Sequence, residues 1–156
     1  FYVLGDYPRA IEDLNKALEW ANTAVQGQFV GQKNYTTLAT KATILILLKK
    51  NKEAMEVMKE AVFHPTANVL QIHRAGRTLI AQGEKDKALT LFKWNSERFP
   101  KTWPINVGLA RGYSANGKYK KALKYAKMAL KEAPDERNKK SLSEVIEMLE
   151  KGEDIN

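Results

Sequence analysis

Cysteine is absent from this chain of 156 residues, which removes disulfides and thiolate chemistry and leaves the redox compartment undetermined. Long apolar runs are missing too. The most apolar stretch, Ile44 to Leu48, is far shorter than the roughly 18 to 20 residues that cross a bilayer, so no membrane span is expected. Histidine is scarce: His64 and His73 lie nine residues apart, the first beside Pro65, which is not the spacing of a metal pair on a helix. No glycine-rich strand-to-helix turn occurs, and no serine, histidine and acid fall into a nucleophile motif. The chain is therefore expected to be no enzyme and to hold no cofactor and no metal. A start methionine and a basic leader are also wanting. The opening Phe1-Tyr2-Val3-Leu4 is read as marking the C-terminal part of a longer protein, with any targeting segment missing.

Charge, by contrast, is plentiful and uneven. The net charge is +8, and residues 103–134 carry seven lysines and arginines against one glutamate. Residues 135–156 reverse the sign, with four basic side chains against seven acidic ones. A basic middle between mildly acidic ends favours anionic partners without choosing among them.

The strongest positive signal is a period. Ala54, Ala88 and Ala122 lie 34 residues apart, each followed by an apolar residue, Met55, Leu89 and Leu123. Ala10, followed by Ile11, precedes Ala54 by 44 residues, one period plus ten. Self-similarity at this spacing marks helix-turn-helix units that bury their apolar faces only by stacking on neighbours. Within residues 103–134 the pattern comprises Leu109, Tyr113, Gly117, Tyr119, Ala122, Ala129 and Pro134. Residues 69–102 repeat it with Gly76, Leu79, Gly83, Ala88, Phe92 and Pro100, and residues 35–68 with Leu38, Ala42, Leu45, Ala54, Met58 and Ala61, Pro65 coming one place early. A first, partial unit over 1–34 keeps Gly5, Asp6, Tyr7, Ala10, Leu14 and Ala17, and an insertion near 25–34, centred on Gly27 to Gln32, follows it.

These residues resemble the tetratricopeptide repeat family over about residues 1–134. The resemblance implies an all-α, right-handed superhelix forming a single domain, closed by a capping helix over 135–151 whose Leu142, Val145, Ile146 and Leu149 recur at helical spacing. Three departures touch local packing. The family's Trp-x-x-Leu-Gly reads Asn106-Val107-Gly108-Leu109-Ala110 in the best repeat, its bulky aromatic is Ala126 there, and Asn95 replaces a small apolar residue. Nothing in the chain caps the first unit, so an upstream domain is expected to cover Tyr7, Ile11 and Leu14. The closing stretch from Asn106 to Asn156 is also similar to the C-terminal tails of bacterial exported proteins in which such repeats follow a β-rich domain of unknown function. That likeness leans the compartment towards the periplasm or envelope rather than the cytoplasm, and offers an alternative role as structural support for the upstream domain.

Three short patterns compete for attention. Gly112-Tyr113-Ser114-Ala115-Asn116-Gly117-Lys118 matches the opening of a phosphate-binding P-loop, but Tyr119 follows where a Ser or Thr must hold magnesium, and the segment continues a helix. Asn34-Tyr35-Thr36 is a formal glycosylation sequon, though Asn34 is better read as the cap of a helix starting near Tyr35. Lys120, Lys124, Lys127 and Lys131 share one helical face, which the resemblance puts on the convex wall. The basic window over 103–134 makes nucleic-acid binding by a helical repeat a second alternative function, which the lack of aromatics interleaved with these lysines weakens.

The resemblance implies a concave groove lined by the first helix of each repeat. By register it contains Thr40, Thr43, Ile46 and Leu47 (with Thr36 and Ala39), then His73, Arg74, Arg77 and Ile80, then Arg111 and Ser114. Arg77 and Arg111 are one period apart, and guanidinium forks suit bidentate capture of carboxylates. A protein or peptide segment of acidic and apolar character is the expected partner. The family's carboxylate clamp for C-terminal tails is not carried over, because Leu70 stands where that clamp has lysine.

Overall fold

Chain reversals are built here with one recipe, repeated at 34-residue intervals. The computed structural model describes residues 5–23, 33–100 and 102–156, and every regular element among them is an α-helix. They are α1 (Tyr7–Thr23), α2 (Tyr35–Leu47), α3 (Asn51–Phe63), α4 (Val69–Ala81), α5 (Lys85–Arg98), α6 (Trp103–Ala115), α7 (Tyr119–Glu132) and α8 (Glu136–Glu150). After α2, α4 and α6 the same bond closes the turn. Lys50 N–H donates to Leu45 O at 2.9 Å, Glu84 N–H to Leu79 O at 2.8 Å and Lys118 N–H to Tyr113 O at 2.9 Å. The residue before each donor is left-handed: Lys49 at φ 61°, Gly83 at 80° and Gly117 at 67°. This is the Schellman ending, which satisfies carbonyls that a helix terminus would leave bare. Glycine adopts it freely, whereas the Lys49 Cβ makes it cost about 1–2 kcal/mol.

The chain divides into two compact units, Phe1–Ala67 and Asn68–Asn156. In the first, α1 packs on α2, and α2 and α3 form a hairpin. Asn34 caps α2 reciprocally: its side chain accepts from Thr37 N–H at 3.0 Å while Thr37 Oγ1 accepts from Asn34 N–H at 3.1 Å. Such a box satisfies two orphan donors at once. The Tyr35 N–H goes to Thr66 Oγ1 at 2.8 Å, tying the start of the hairpin to its end. Leu38, Ala42, Leu45, Ala54, Met58 and Ala61, the repeat residues of this stretch, are all buried. Tyr7, Ile11 and Leu14 of α1 are half-buried. The Phe1–Leu4 remnant and the core of the insertion, residues 24–32, lie outside the described residues.

The second unit is organised around one ring. Phe92 of α5 is 1% exposed, and three glycines from two other helices face it. A Cβ at Gly76 of α4 would sit 2.5 Å from the ring, at Gly108 of α6 2.7 Å and at Gly112 of α6 2.8 Å. No real Cβ comes so close, so the glycines in this socket set how near α4 and α6 approach α5. Asn95, 1% exposed, donates its side-chain amide to Val69 O at 3.1 Å. Asn116 Nδ2 reaches both Lys85 O at 3.0 Å and Gly112 O at 2.9 Å, joining the end of α6 to the start of α5. One repeat later Ala126 takes the ring's place, packed with Ala110, Ala122, Leu149 and Ile155. Tyr113 and Tyr125 stack beside that cluster with ring centroids 5.4 Å apart. Leu142 and Leu149 of α8 are buried and Val145 and Ile146 are partly so, as their spacing requires.

Candidate functional site

Because α4 and α6 pack side by side in the second unit, residues one period apart meet. Leu70, His73 and Arg77 of α4 face Pro104, Val107 and Arg111 of α6 across a crevice of about 250 Å³. Helix α8 contributes Asn138, Ser141, Leu142 and Val145 to its walls, and Trp103 and Ile155 line it too.

Two guanidiniums dominate its field. Burial pushes the Arg111 pKa down, the Arg77 charge adds to the effect, and Asp154 partly opposes it. Among the described residues, neither arginine is spent on a carboxylate within salt-bridge distance. His73 feels the same field. Burial first, then the charges of Arg111 and Arg77, push its pKa down to about 4 against a backbone hydrogen bond with Pro104. At neutral pH it is an uncharged imidazole tilted against Phe92, ring centroids 5.6 Å apart. Two buried polar atoms in these walls, His73 Nδ1 and Trp103 Nε1, have no hydrogen-bond partner.

The residues after α8 are seated on the same face of α6. Ser114 Oγ donates to Asp154 Oδ1 at 2.7 Å and accepts from Ile155 N–H at 3.1 Å. One turn earlier Arg111 Nη1 donates to Ile155 O at 3.1 Å. Asn156 Nδ2 donates to Arg111 O at 3.2 Å and to Asp154 Oδ1 at 2.7 Å. Burial works against an ionised Asp154. The hydrogen bonds from Ser114 and Asn156, the Lys85 charge and the Ile155 N–H outweigh it, holding the carboxyl below its ordinary range.

The groove residues expected from register therefore divide. His73, Arg77 and Arg111 line one crevice, while Ser114 is buried under Asp154 and Ile155. Arg74 is exposed and Ile80 half-buried, and neither lines the crevice. In the first unit Thr40 and Thr43 are half-buried, with Thr43 Oγ1 donating to Ala39 O at 2.9 Å. Leu47 is exposed, but Ile46 is 3% exposed and faces inward, offering nothing to a partner. The contributions of Asn138, Ser141 and residues 154–156 were missed from the sequence, which carries no period through them.

The competing motifs resolve simply. Gly112 packs on Phe92 within α6 and Gly117 is a helix-ending turn, so no phosphate loop forms there. His64 Nδ1 contacts Thr66 Oγ1 at 2.8 Å. Lys120, Lys124, Lys127 and Lys131 are all exposed, and Lys127 pairs with Glu150 at 2.9 Å. A wider depression of about 700 Å³ lies between the start of α7 and the end of α8, floored by Leu123 and Leu149 and rimmed by Lys118, Lys120, Lys121 and Lys151. Among the described residues no three His, Asp or Glu side chains cluster as a metal site, and no helix is long and apolar enough to cross a membrane. No protein-family model matches the chain, and no curated protein sequence does either.

Proposed function

We propose that this chain is a tetratricopeptide-like binding module and that the crevice of its second unit captures an extended peptide segment of acidic and apolar character. One observation carries the reading: half-buried Arg111 and exposed Arg77 line one largely apolar crevice, Arg77 has no carboxylate partner among the described residues, and Arg111 feels Asp154 only from beyond salt-bridge distance. A half-desolvated guanidinium gains most from a carboxylate that arrives with its own fork-matching geometry. The flanking Leu70, Val107 and Val145 give a neighbouring aliphatic side chain somewhere to go. The 34-residue recurrence of helix reversals supports the repeat architecture to which such grooves belong.

Fluorescence anisotropy with labelled peptides alternating Asp or Glu with Ile or Leu tests it. Binding is expected at low salt and should weaken at least tenfold in Arg77→Gln and in Arg77→Glu/Arg111→Glu, with helical circular dichroism unchanged. Peptides with lysine in place of the acids should not bind. Equal affinity for the acidic and basic series, or for the charge-reversed protein, would overturn the assignment.

A further inference from the structure

We propose that residues 154–156 are a resident occupant of this groove and a template for its ligand. On this view the groove selects an extended segment in which a carboxylate directly precedes a branched aliphatic residue, and such a segment binds by displacing Asp154, Ile155 and Asn156. The inference rests on the peptide-binding reading above and adds the ligand's pattern and a competitor in the same chain.

The contacts are those of peptide recognition rather than of a helix end. Residues 153–156 have no regular secondary structure. The Ile155 backbone is read from both sides by side chains one turn apart on α6, its N–H by Ser114 and its C=O by Arg111. Main-chain hydrogen bonds of this kind hold any extended segment, and the pockets between them decide which. Here the Asp154 carboxylate takes the Ser114 hydroxyl, and the Ile155 side chain, 9% exposed, joins the Ala110, Ala126 and Leu149 cluster. Charge is complementary as well, since Asp154 opposes the like-charge strain that Arg77 places on Arg111.

Ile155 lines the crevice together with Val107, His73 and Arg77. Arg77 receives nothing from residues 154–156. A longer segment in the same track would repeat the Asp-Ile contacts and reach Arg77 with a second acidic group. Residues 154–156 thus compete with a ligand for Arg111 and Ser114 without engaging Arg77.

The decisive experiment compares three proteins in their ability to bind a fluorescein-labelled, end-blocked peptide bearing Asp-Ile-Asn-Glu, with Asn-Ala-Asn-Glu as control. The proteins are the unaltered chain, Asp154→Gly/Ile155→Gly and Asp154→Asn. The double variant should bind the Asp-Ile peptide about tenfold or more tightly than the unaltered chain and discriminate against the control. Amide NMR shifts should perturb Arg111 and Ser114. Asp154→Asn keeps Ile155 and serves if the double variant loses its helical signal; it should bind about threefold more tightly. Folded variants that gain nothing, while the unaltered chain still binds the acidic peptides of the previous section, would overturn the resident-occupant inference and leave the peptide-binding reading standing. No binding by any of the three to any acidic peptide would overturn both.

Discussion

One period apart, the α4–α5 and α6–α7 pairs share their turns but distribute side-chain volume oppositely. The first puts a phenyl ring inside, Phe92, and clears room for it with Gly76. The second has Ala126 and Ala110 at those register positions, and its bulk moves one place along α7 to Tyr125, stacked on Tyr113. The crevice walls differ likewise, with His73 on α4 where α6 has Val107, although both keep an arginine one turn on, Arg77 and Arg111. Identical backbone closure thus requires only that the sum of facing volumes be right, not which helix supplies them.

Acid should separate the two pairs most strongly. The His73 pKa falls from its ordinary 6.5 to about 4, so between these values the unfolded chain binds a proton that the folded chain does not. Stability is full above about pH 6.5 and declines as pH drops towards 4, by up to about 3 kcal/mol. Urea midpoints measured from pH 7.5 to 4 should show this decline, and His73→Val, which imports the α6 residue, should remove it. A decline equally steep in the variant would place its origin elsewhere.

Next in size comes the glycine socket. Helix propensity alone makes Gly76→Ala a gain of about 1 kcal/mol. Its Cβ would meet the Phe92 ring at 2.5 Å, so the substitution should instead lose about 1–3 kcal/mol in thermal or chemical unfolding. The mirror change Ala110→Gly meets no such ring and should lose about 1 kcal/mol through the backbone. Both exchanges destabilising would confirm that each pair is fitted to its own filling; a stabilised Gly76→Ala would show the socket to be slack.

The smallest effect concerns the turns. Lys49→Gly gives the first unit the residue that Gly83 and Gly117 supply later, and should raise stability by about 0.5–1 kcal/mol. Hydrogen exchange at the Lys50 amide, which donates to Leu45 O, should slow with it.

Most helix limits were legible because they follow the period: Ala54, Ala88 and Ala122 mark second helices, and Gly83 and Gly117 the turns before two of them. Lys49 was not legible as a left-handed residue, since the turn is imposed by the hairpin around it against the side chain's own preference. Arg77 and Arg111 were paired correctly from register alone, because stacked helices bring equivalent positions together. Ile46 was not, as a position on the groove-facing side of a helix still turns inward when its neighbours leave room. Residues 154–156 were opaque for a different reason. A segment without periodicity is placed by single contacts to residues some forty positions away, and no local pattern announces them.

Phe92 and its three glycines also constrain how this sequence can drift. Enlarging any one of the glycines collides with the ring, and shrinking the ring first opens a cavity costing about 3–5 kcal/mol. Every single step away from the quartet costs stability, so descendants of this chain are expected to retain all four residues or exchange them together.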